Sequence, residues 1–308
     1  MSFTTGGFMI NRPPKLCIIV LVKDEDLHID RFIGQFQNYD VEIYIIDSYS
    51  TDGSLERYRN HKQVTILANQ FETQAQQFDW ALNNIPDKYE WFLRLDADEL
   101  VDVHNLNFLV QELSKSDSYV GASFIRKIKF QGTLLRYGNS YENNCVRLFR
   151  KGHGRSNRAI MDEKIVVDGP VLNTAQVIVD ESLIGFHRWF DKHNNYSSRE
   201  ALNFIAASHS ERLGYYQSNL TAEKWKYYRL PPYVRAFLFF SYRLIIKCGF
   251  LDGIKGITFL LMQGLLYRLM VDVKIREIEE ILRANDENTQ ILPLLASHLG
   301  IKIGQKTH

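Results

Sequence analysis

Several common signatures are missing from this 308-residue chain. No G-x-G-x-x-G follows its first apolar run, and no G-x-x-x-x-G-K-[ST] occurs anywhere. Those glycines let a backbone approach phosphate closely, so their absence argues against a nicotinamide enzyme and a P-loop nucleotide hydrolase. Cysteine is scarce: Cys17, Cys145 and Cys248 are odd in number, scattered and without metal spacing. That argues against a disulfide framework or a zinc site and fits a reducing compartment. The formal net charge is only +1, so nothing global favours nucleic acid, and any basic surface has to be local. An uninterrupted apolar run of about 18 residues is absent, which argues against a transmembrane helix. Residues 1–14 lack a charged start followed by an apolar core, so no signal peptide is expected. Internal repeats and low-complexity segments are absent as well.

What remains is an ordinary globular composition, 45% apolar and 24% charged. The length suits one large domain, or a domain with an appendage. Lys15–Val22 (KLCIIVLV) is a continuous β-branched run, as in a strand buried on both faces. Val41–Ile46, Val64–Leu67 and Trp91–Leu95 read as three more strands. Between them, Leu27–Phe36, Ser54–Asn60 and Thr73–Asn83 have helical character. Such alternation predicts a doubly wound α/β layer with a mostly parallel sheet. Ligands in such sheets bind beyond the carboxyl ends of the strands.

Those ends are acidic. The first strand runs into Lys23, Asp24 and Glu25, the second into Asp47, and the fourth into Asp96, Asp98 and Glu99. Asp96 and Asp98 are two apart, so on an extended backbone they point to the same side. Two close carboxylates repel unless a cation lies between them or one holds a proton. Hard oxygens suit Mg²⁺ or Mn²⁺, and a metal would neutralise a diphosphate where no glycine loop does. The alternative is a strand end with solvated acids, or a helix start carrying acids to suit the dipole. For residues 47–53 it is a turn with a helix cap, since Asp, Ser, Thr and Gly all favour one.

Three blocks in order carry a resemblance: Val22–Lys23–Asp24–Glu25, then Ile45–Ile46–Asp47–Ser48–Tyr49–Ser50–Thr51–Asp52–Gly53, then Leu95–Asp96–Ala97–Asp98–Glu99. Together they resemble the family-two glycosyltransferases with the GT-A fold. The second block is close to that family's V-D-S-x-S-T-D-G-T, and the third holds its D-x-D motif. Further pieces are Arg147–Leu148–Phe149–Arg150–Lys151–Gly152, Asp162–Glu163–Lys164, His187–Arg188–Trp189 and Gly249–Phe250–Leu251–Asp252–Gly253. These are similar to the bacterial lipopolysaccharide-core glucosyltransferase branch, although that branch usually has His where this chain has Asp162. The resemblance spans roughly residues 15 to 270. It implies a GT-A-type α/β sheet with helices on both faces and a C-terminal helical appendage. The expected division is an extension at 1–14, a transferase domain at 15–190 and a helical region at 191–308. The domain itself splits into a nucleotide-binding half at 15–100 and an acceptor half at 101–190.

Carried over residue by residue, the resemblance implies that Val22, Lys23, Asp24 and Glu25 line the nucleotide pocket, with Ser50, Arg94 and Ala97 beside it. Asp47 would contact the uridine ribose or base, and Asp52 would shape the loop and helix start. Asp96 would reach the ribose and the metal's shell, and Asp98 would bind Mn²⁺ or Mg²⁺ directly. GT-A enzymes often carry a His that completes the metal shell, which extends the expectation to His187. A lone His is otherwise more often structural, and these metals prefer oxygen. An inverting transferase needs one carboxylate to take the acceptor proton and no covalent nucleophile. Glu163 is the candidate base and Asp162 the runner-up, with a surface acid pair as the alternative. The Gly-, Ser- and Arg-rich stretch 151–159 reads equally as a lid over diphosphate or a solvated loop.

Tyr119–Ile128, Leu134–Tyr137, Val146–Arg150, Ile165–Val167 and Ser182–Phe186 read as further strands, and Asn195–Leu213 as an amphipathic helix. In Lys224–Lys247 aromatic and basic residues interleave and acids are missing. Such a surface suits a lipid headgroup boundary, with Trp225, Tyr228, Arg235, Phe239, Arg243 and Lys247 as the expected contacts. The alternative is a core helix with solvated basic residues. Base stacking ranks below both, because no nucleic-acid module accompanies it. Ile254–Val271 is broken by Lys255, Gln263 and Arg268, so it reads as interfacial or packed rather than spanning.

The reading is a metal-dependent, inverting transferase of a hexose, glucose foremost, from a UDP-sugar donor. The acceptor would be a saccharide or lipid-linked saccharide in bacterial lipopolysaccharide or capsule biosynthesis. The protein would be peripheral on the inner face of the cytoplasmic membrane, and self-association is left open. A sugar nucleotidyltransferase would need a glycine-rich, arginine-bearing loop after the first strand, which Val22–Asp26 lacks. A catalytically inactive, membrane-docked subunit of a glycan-assembly complex is the rival from a different class.

Overall fold

A computed structural model describes residues 15–157, 163–208, 220–285 and 291–300. The apolar runs form β1 (Leu16–Val22), β2 (Glu42–Asp47), β3 (Val64–Ala68) and β4 (Trp91–Asp96). They lie side by side in the order β3-β2-β1-β4, all parallel. Alternation along β1 explains why both faces are covered. Leu16, Ile18, Val20 and Val22 pack with α1 (Ile29–Gly34), Tyr58 of α2 (Ser54–Arg59) and α4 (Val103–Leu113). Cys17 and Ile19 point the other way, onto Phe78 and Ala81 of α3 (Gln74–Asn84). Thr73 caps α3 by accepting the Gln76 N–H, and the helix stops at Ile85, which precedes Pro86 and is extended.

The sheet continues past β4 through β8 (Tyr141–Arg150), β6 (Gly121–Phe130), β11 (Val171–Asp180) and β5 (Glu99–Val101), with β7 (Thr133–Leu134) on β6. This half is mixed: β8 is antiparallel to β4 and β6, whereas β11 is parallel to β6. A separate ribbon joins β9 (Gly154–Ser156) to β10 (Ile165–Val167). Two strand expectations need correction. Leu134–Tyr137 contributes only the end of β7, and Ser182–Phe186 is not a strand. The last long strand is β11, hidden in sequence because Asn173, Thr174 and Gln176 interrupt its apolar pattern. Its register shifts between Asn173 and Val177, as a bulge does.

The C-terminal layer begins with α5 (Phe186–Ser208), earlier than its periodicity suggested. It continues through α6 (Ala222–Tyr228), α7 (Val234–Ser241), a π-helical turn (Tyr242–Ile246) and a 3₁₀ turn (Gly249–Asp252). Then follow α8 (Gly253–Leu260), a second π-helical turn (Leu261–Leu266), α9 (Tyr267–Ala284) and α10 (Ile291–Leu299). Ala201, Leu202 and Ile205 of α5 meet Val271, Ile275 and Ile278 of α9 in a second core. The run Gly249–Ala284 is long and apolar enough to cross a membrane by length and composition, and less than half of its apolar stretch is buried.

Three expected lipid contacts point inward instead. Arg235 is 2% exposed and gives Asp272 Oδ1 bonds of 2.8 Å from Nε and 2.6 Å from Nη2. Arg243 is 8% exposed and donates from Nε to the Gly138 carbonyl at 2.6 Å. Tyr228 is buried with its hydroxyl on Glu200. Trp225 and Phe239 are half-buried, and Lys247 is exposed. An unpaired charge cannot stay in a protein interior, so each buried arginine is matched to acceptors.

Candidate functional site

The parallel register brings the acidic strand ends together. Val22 lies opposite Asp47, and Leu21 lies opposite Asp96. Beyond this edge the loops after β1 and β2 clasp each other. Asp24 N–H donates to Ser50 Oγ at 2.9 Å, and Asp24 Oδ1 accepts the Thr51 N–H at 2.7 Å. Asp52 Oδ2 accepts the Asp26 N–H at 2.9 Å, and Lys23 Nζ donates to the Tyr49 carbonyl at 2.5 Å. Asp24 and Tyr49 both have left-handed backbones, with φ of 54° and 62°. Non-glycine residues hold that conformation where surrounding bonds over-determine it, as they do here.

Asp47 is buried, and both its oxygens accept the Ser50 N–H, at 3.1 and 3.2 Å. It therefore shapes the loop from beneath. Asp52 likewise caps α2, accepting the Ser54 N–H at 3.0 Å. Burial lifts the Asp52 carboxyl, but its bonds from Ser54 and the Asp26 N–H outweigh this and hold it below the usual range. Glu25 Oε2 lies 2.7 Å from His28 Nδ1, while His28 Nε2 accepts the Leu183 N–H at 2.9 Å. The second bond places the histidine proton on Nδ1, facing Glu25.

Glu99 anchors the Asp96–Asp98 turn. It is fully buried, accepts the Asp96 N–H at 3.0 Å, and receives Arg147 Nη2 at 2.5 Å and Arg126 Nε at 3.1 Å. Arg126 also bonds Asp180, and Arg147 Nη2 lies 3.6 Å from Asp96 Oδ2. Burial opposes ionisation of Asp96, but Arg147, Arg94 and Arg126 win and lower its carboxyl. Burial and then the Asp98 charge push Asp180 up to about 6. Sequence reading passed over Arg126 and the structural part played by Glu99 and Arg147. Their charged side chains on sheet strands were the available signal.

The donor set fits a hard divalent cation. Asp98 is half-buried and its carboxylate makes no bond to a described residue, while its negative charge reaches Asp180. Among the described residues, no three His, Cys, Asp or Glu side chains gather as a cage. Two carboxylates with other positions left open is the arrangement that Mg²⁺ and Mn²⁺ use alongside phosphate oxygens.

His187 does not close on these acids in the structure. It is 92% exposed in the first turn of α5 and faces Asp191 at 3.6 Å. The same helix delivers two cations that sequence reading missed. Arg188 Nη1 lies 3.4 Å from Asp26 Oδ1. Burial pulls Lys192 down, but Tyr196, Asp98, Glu25 and Asp96 raise it further, so its ammonium charge is secure beside the acids. The i, i+4 spacing of 188 and 192 places both on one helix face.

Arg94 and Glu163 form a buried pair, with side chains 4% and 2% exposed and Nη1 to Oε2 at 2.5 Å. The Arg94 guanidinium also lies over the Phe78 ring at 4.8 Å. Arg94, expected beside the nucleotide pocket, is bonded to Glu163. Glu163 Oε1 is buried with no hydrogen-bond partner among the described residues. Buried polar atoms without a partner are rare and point to a ligand group or water. Val22 and Ala97, expected at the nucleotide pocket, are buried. Asp162 and residues 158–161 lie outside the described residues.

Comparison with known proteins follows this geometry. Residues 17–168 match the model of Glycosyl transferase family 2. The lipopolysaccharide core biosynthesis glycosyltransferase LpsC of Rhizobium meliloti (strain 1021) is 25% identical over 280 residues, covering 87% of this chain and 93% of LpsC. Residues 1–349 of S. aureus TarS align over 96% of this chain and 93% of that one, at 16% identity and a TM-score of 0.36. GalNAc-T7 with UDP, GalNAc and Mn²⁺ aligns over 52% of this chain and 31% of its own, at 18% identity and a TM-score of 0.34.

Proposed function

Residues 17–168 form a glycosyl transferase family 2 domain, and from that premise we propose that the chain moves a hexose, glucose foremost, from a UDP-sugar with inversion. The observation that carries this reading is the meeting of three strand ends, with Val22 opposite Asp47 and Leu21 opposite Asp96. Asp96 and Asp98 would hold Mn²⁺ or Mg²⁺, which when bound supplies charge to balance a departing diphosphate. Lys192 and Arg188 add fixed positive charge beside the acids, where leaving-group charge develops. The backbone of residues 22–25, with Ser50 and Asp47, shapes the nucleotide side. Glu163 takes the acceptor proton on Oε1, with Arg94 fixing the carboxylate through Oε2.

LpsC acts in lipopolysaccharide core biosynthesis, and a surface-glycan saccharide or lipid-linked saccharide is the acceptor proposed for this chain. The reaction would then run at the inner face of the cytoplasmic membrane. A panel of nucleotide sugars, scored for nucleotide release with Mn²⁺, Mg²⁺ or chelator, tests the assignment. A UDP-sugar should be chosen, chelator should stop release, and NMR of the product should show the inverted anomer. Glu163→Gln should lower kcat while nucleotide binding persists. No release with any donor would favour the inactive-subunit reading.

A further inference from the structure

The face built from α7, the π-helical turn after it and the start of α8 has inverted polarity. Val234, Phe237, Leu238, Tyr242 and Ile245 recur at helical spacing, and all are exposed. Ile246 at 68%, Phe250, Leu251 and Ile254 at 75% extend the patch, and these turns pack on one another. The charged residues of the same helix, Arg235 and Arg243, are the buried ones. A helix on a water-facing surface shows the reverse pattern. Contiguous exposed apolar area of this kind marks an interaction surface.

The surrounding charge selects the partner. From Lys224 to Leu251 the chain contains no Asp or Glu. Lys226, Arg229 and Lys247 are exposed there, and Arg136 is exposed on the loop packed against it. The next acid, Asp252, is turned inward, its carboxylate accepting the N–H groups of Arg136 and Tyr137 at 3.0 to 3.1 Å. A second copy of this face would set like charges against one another with no acids within the stretch to answer them. An anionic bilayer answers both features, hydrocarbon for the centre and phosphate for the rim.

We propose that this face docks on an anionic phospholipid bilayer and fixes the distance between the membrane plane and the acceptor half of the site. The coupling is built from short bonds. The Gly138 N–H donates to the Lys247 carbonyl at 2.8 Å, and Arg243 holds the Gly138 carbonyl. Gly138 has φ of 68°, and a Cβ there would lie 3.2 Å from the Cα of Gly249, so the two backbones touch. The same loop leads into β8, which carries Arg147 to Glu99 and Asp96. Docking goes beyond the transfer reaction and stands whatever the donor.

Co-sedimentation of the full chain with phosphatidylglycerol-containing and pure phosphatidylcholine vesicles tests this. Wild type should prefer the anionic vesicles, lose binding as salt rises, and be released by alkaline carbonate. The double substitution Phe237→Ser with Ile246→Ser should weaken binding at least about tenfold without changing the melting temperature. Lys247→Glu should remove the anionic preference. Phe108→Ser, at an exposed phenylalanine on α4, should bind as wild type does. Vesicle binding unchanged by the double substitution overturns the proposal. So does resistance to carbonate, which indicates a span, or a solution dimer that the double substitution splits, which indicates a second copy. Sugar transfer to a water-soluble acceptor reports separately: its absence with docking intact sinks the transferase reading alone.

Discussion

The sheet edge and the helical layer both tie arginines to enclosed carboxylates, and they leave opposite surfaces behind. At the edge, Arg126 and Arg147 converge on the enclosed Glu99, and the carboxylates of Asp96 and Asp98 remain beyond them. In the layer, Arg235 is closed onto Asp272 and Arg268 onto Glu200, and hydrocarbon faces outward. Buried ion pairs return little net stability, because desolvation offsets the attraction. Here each pair ties a turn or a helix to its neighbours. One tie holds the Asp96–Asp98 turn, and the other frees an apolar face by drawing its charges inside.

Substituting a member of the second tie, and the acid that stands beyond the first, should separate the two roles. Asp272→Ala strands Arg235 and the Tyr233 N–H, and should cost about 3–5 kcal/mol in urea unfolding. Asp98→Ala strands no described residue, since its carboxylate bonds none of them. It should leave stability within about 0.5 kcal/mol, yet lower kcat for nucleotide release by about 10²–10³-fold. A stability loss at Asp98 would erase the contrast.

Acid unfolding probes the layer further. Burial would raise the Glu200 carboxyl, but Arg268, Lys224 and the Tyr267 hydroxyl bring it down to about 2 from an ordinary 4.5. A depressed carboxyl stabilises the fold above its unfolded value and loses that contribution as pH falls through the folded one. Stability should therefore drop by roughly 3 kcal/mol between pH 4.5 and 2. Glu200→Gln should flatten that limb of a stability-against-pH curve. The smallest effect should be shared by both regions. Thr73 caps α3 and Thr221 caps α6 through the same threonine-to-amide bond. Alanine at either should cost about 1 kcal/mol in chemical denaturation.

The helical layer also shows where reading a sequence stops. Helical spacing in Val234–Ile245 puts Val234, Phe237, Leu238, Tyr242 and Ile245 on one side and leaves Arg235 and Arg243 off it. Which face turns inward depends on Asp272 and Gly138, far along the chain. Tyr228, Arg235 and Arg243 were expected at a lipid boundary because aromatic and basic residues interleave in Lys224–Lys247 without acids. The bond from Arg94 to Glu163, 69 residues away, lies equally beyond any local pattern. β11 went unseen because a bulge and three polar residues break its alternation.

By itself the sequence determined the parallel half of the sheet, its acidic edge and the three blocks that mark the family. Those features are local: β-branched runs bury two faces, and the residues after each strand share its end. Only the tertiary structure decided the inward arginines, the Arg94–Glu163 pair, the arrival of Arg188 and Lys192 from α5, and the outward apolar face. Each of these is a pairing between distant segments, and a charged group is stable inside a protein only if such a partner reaches it.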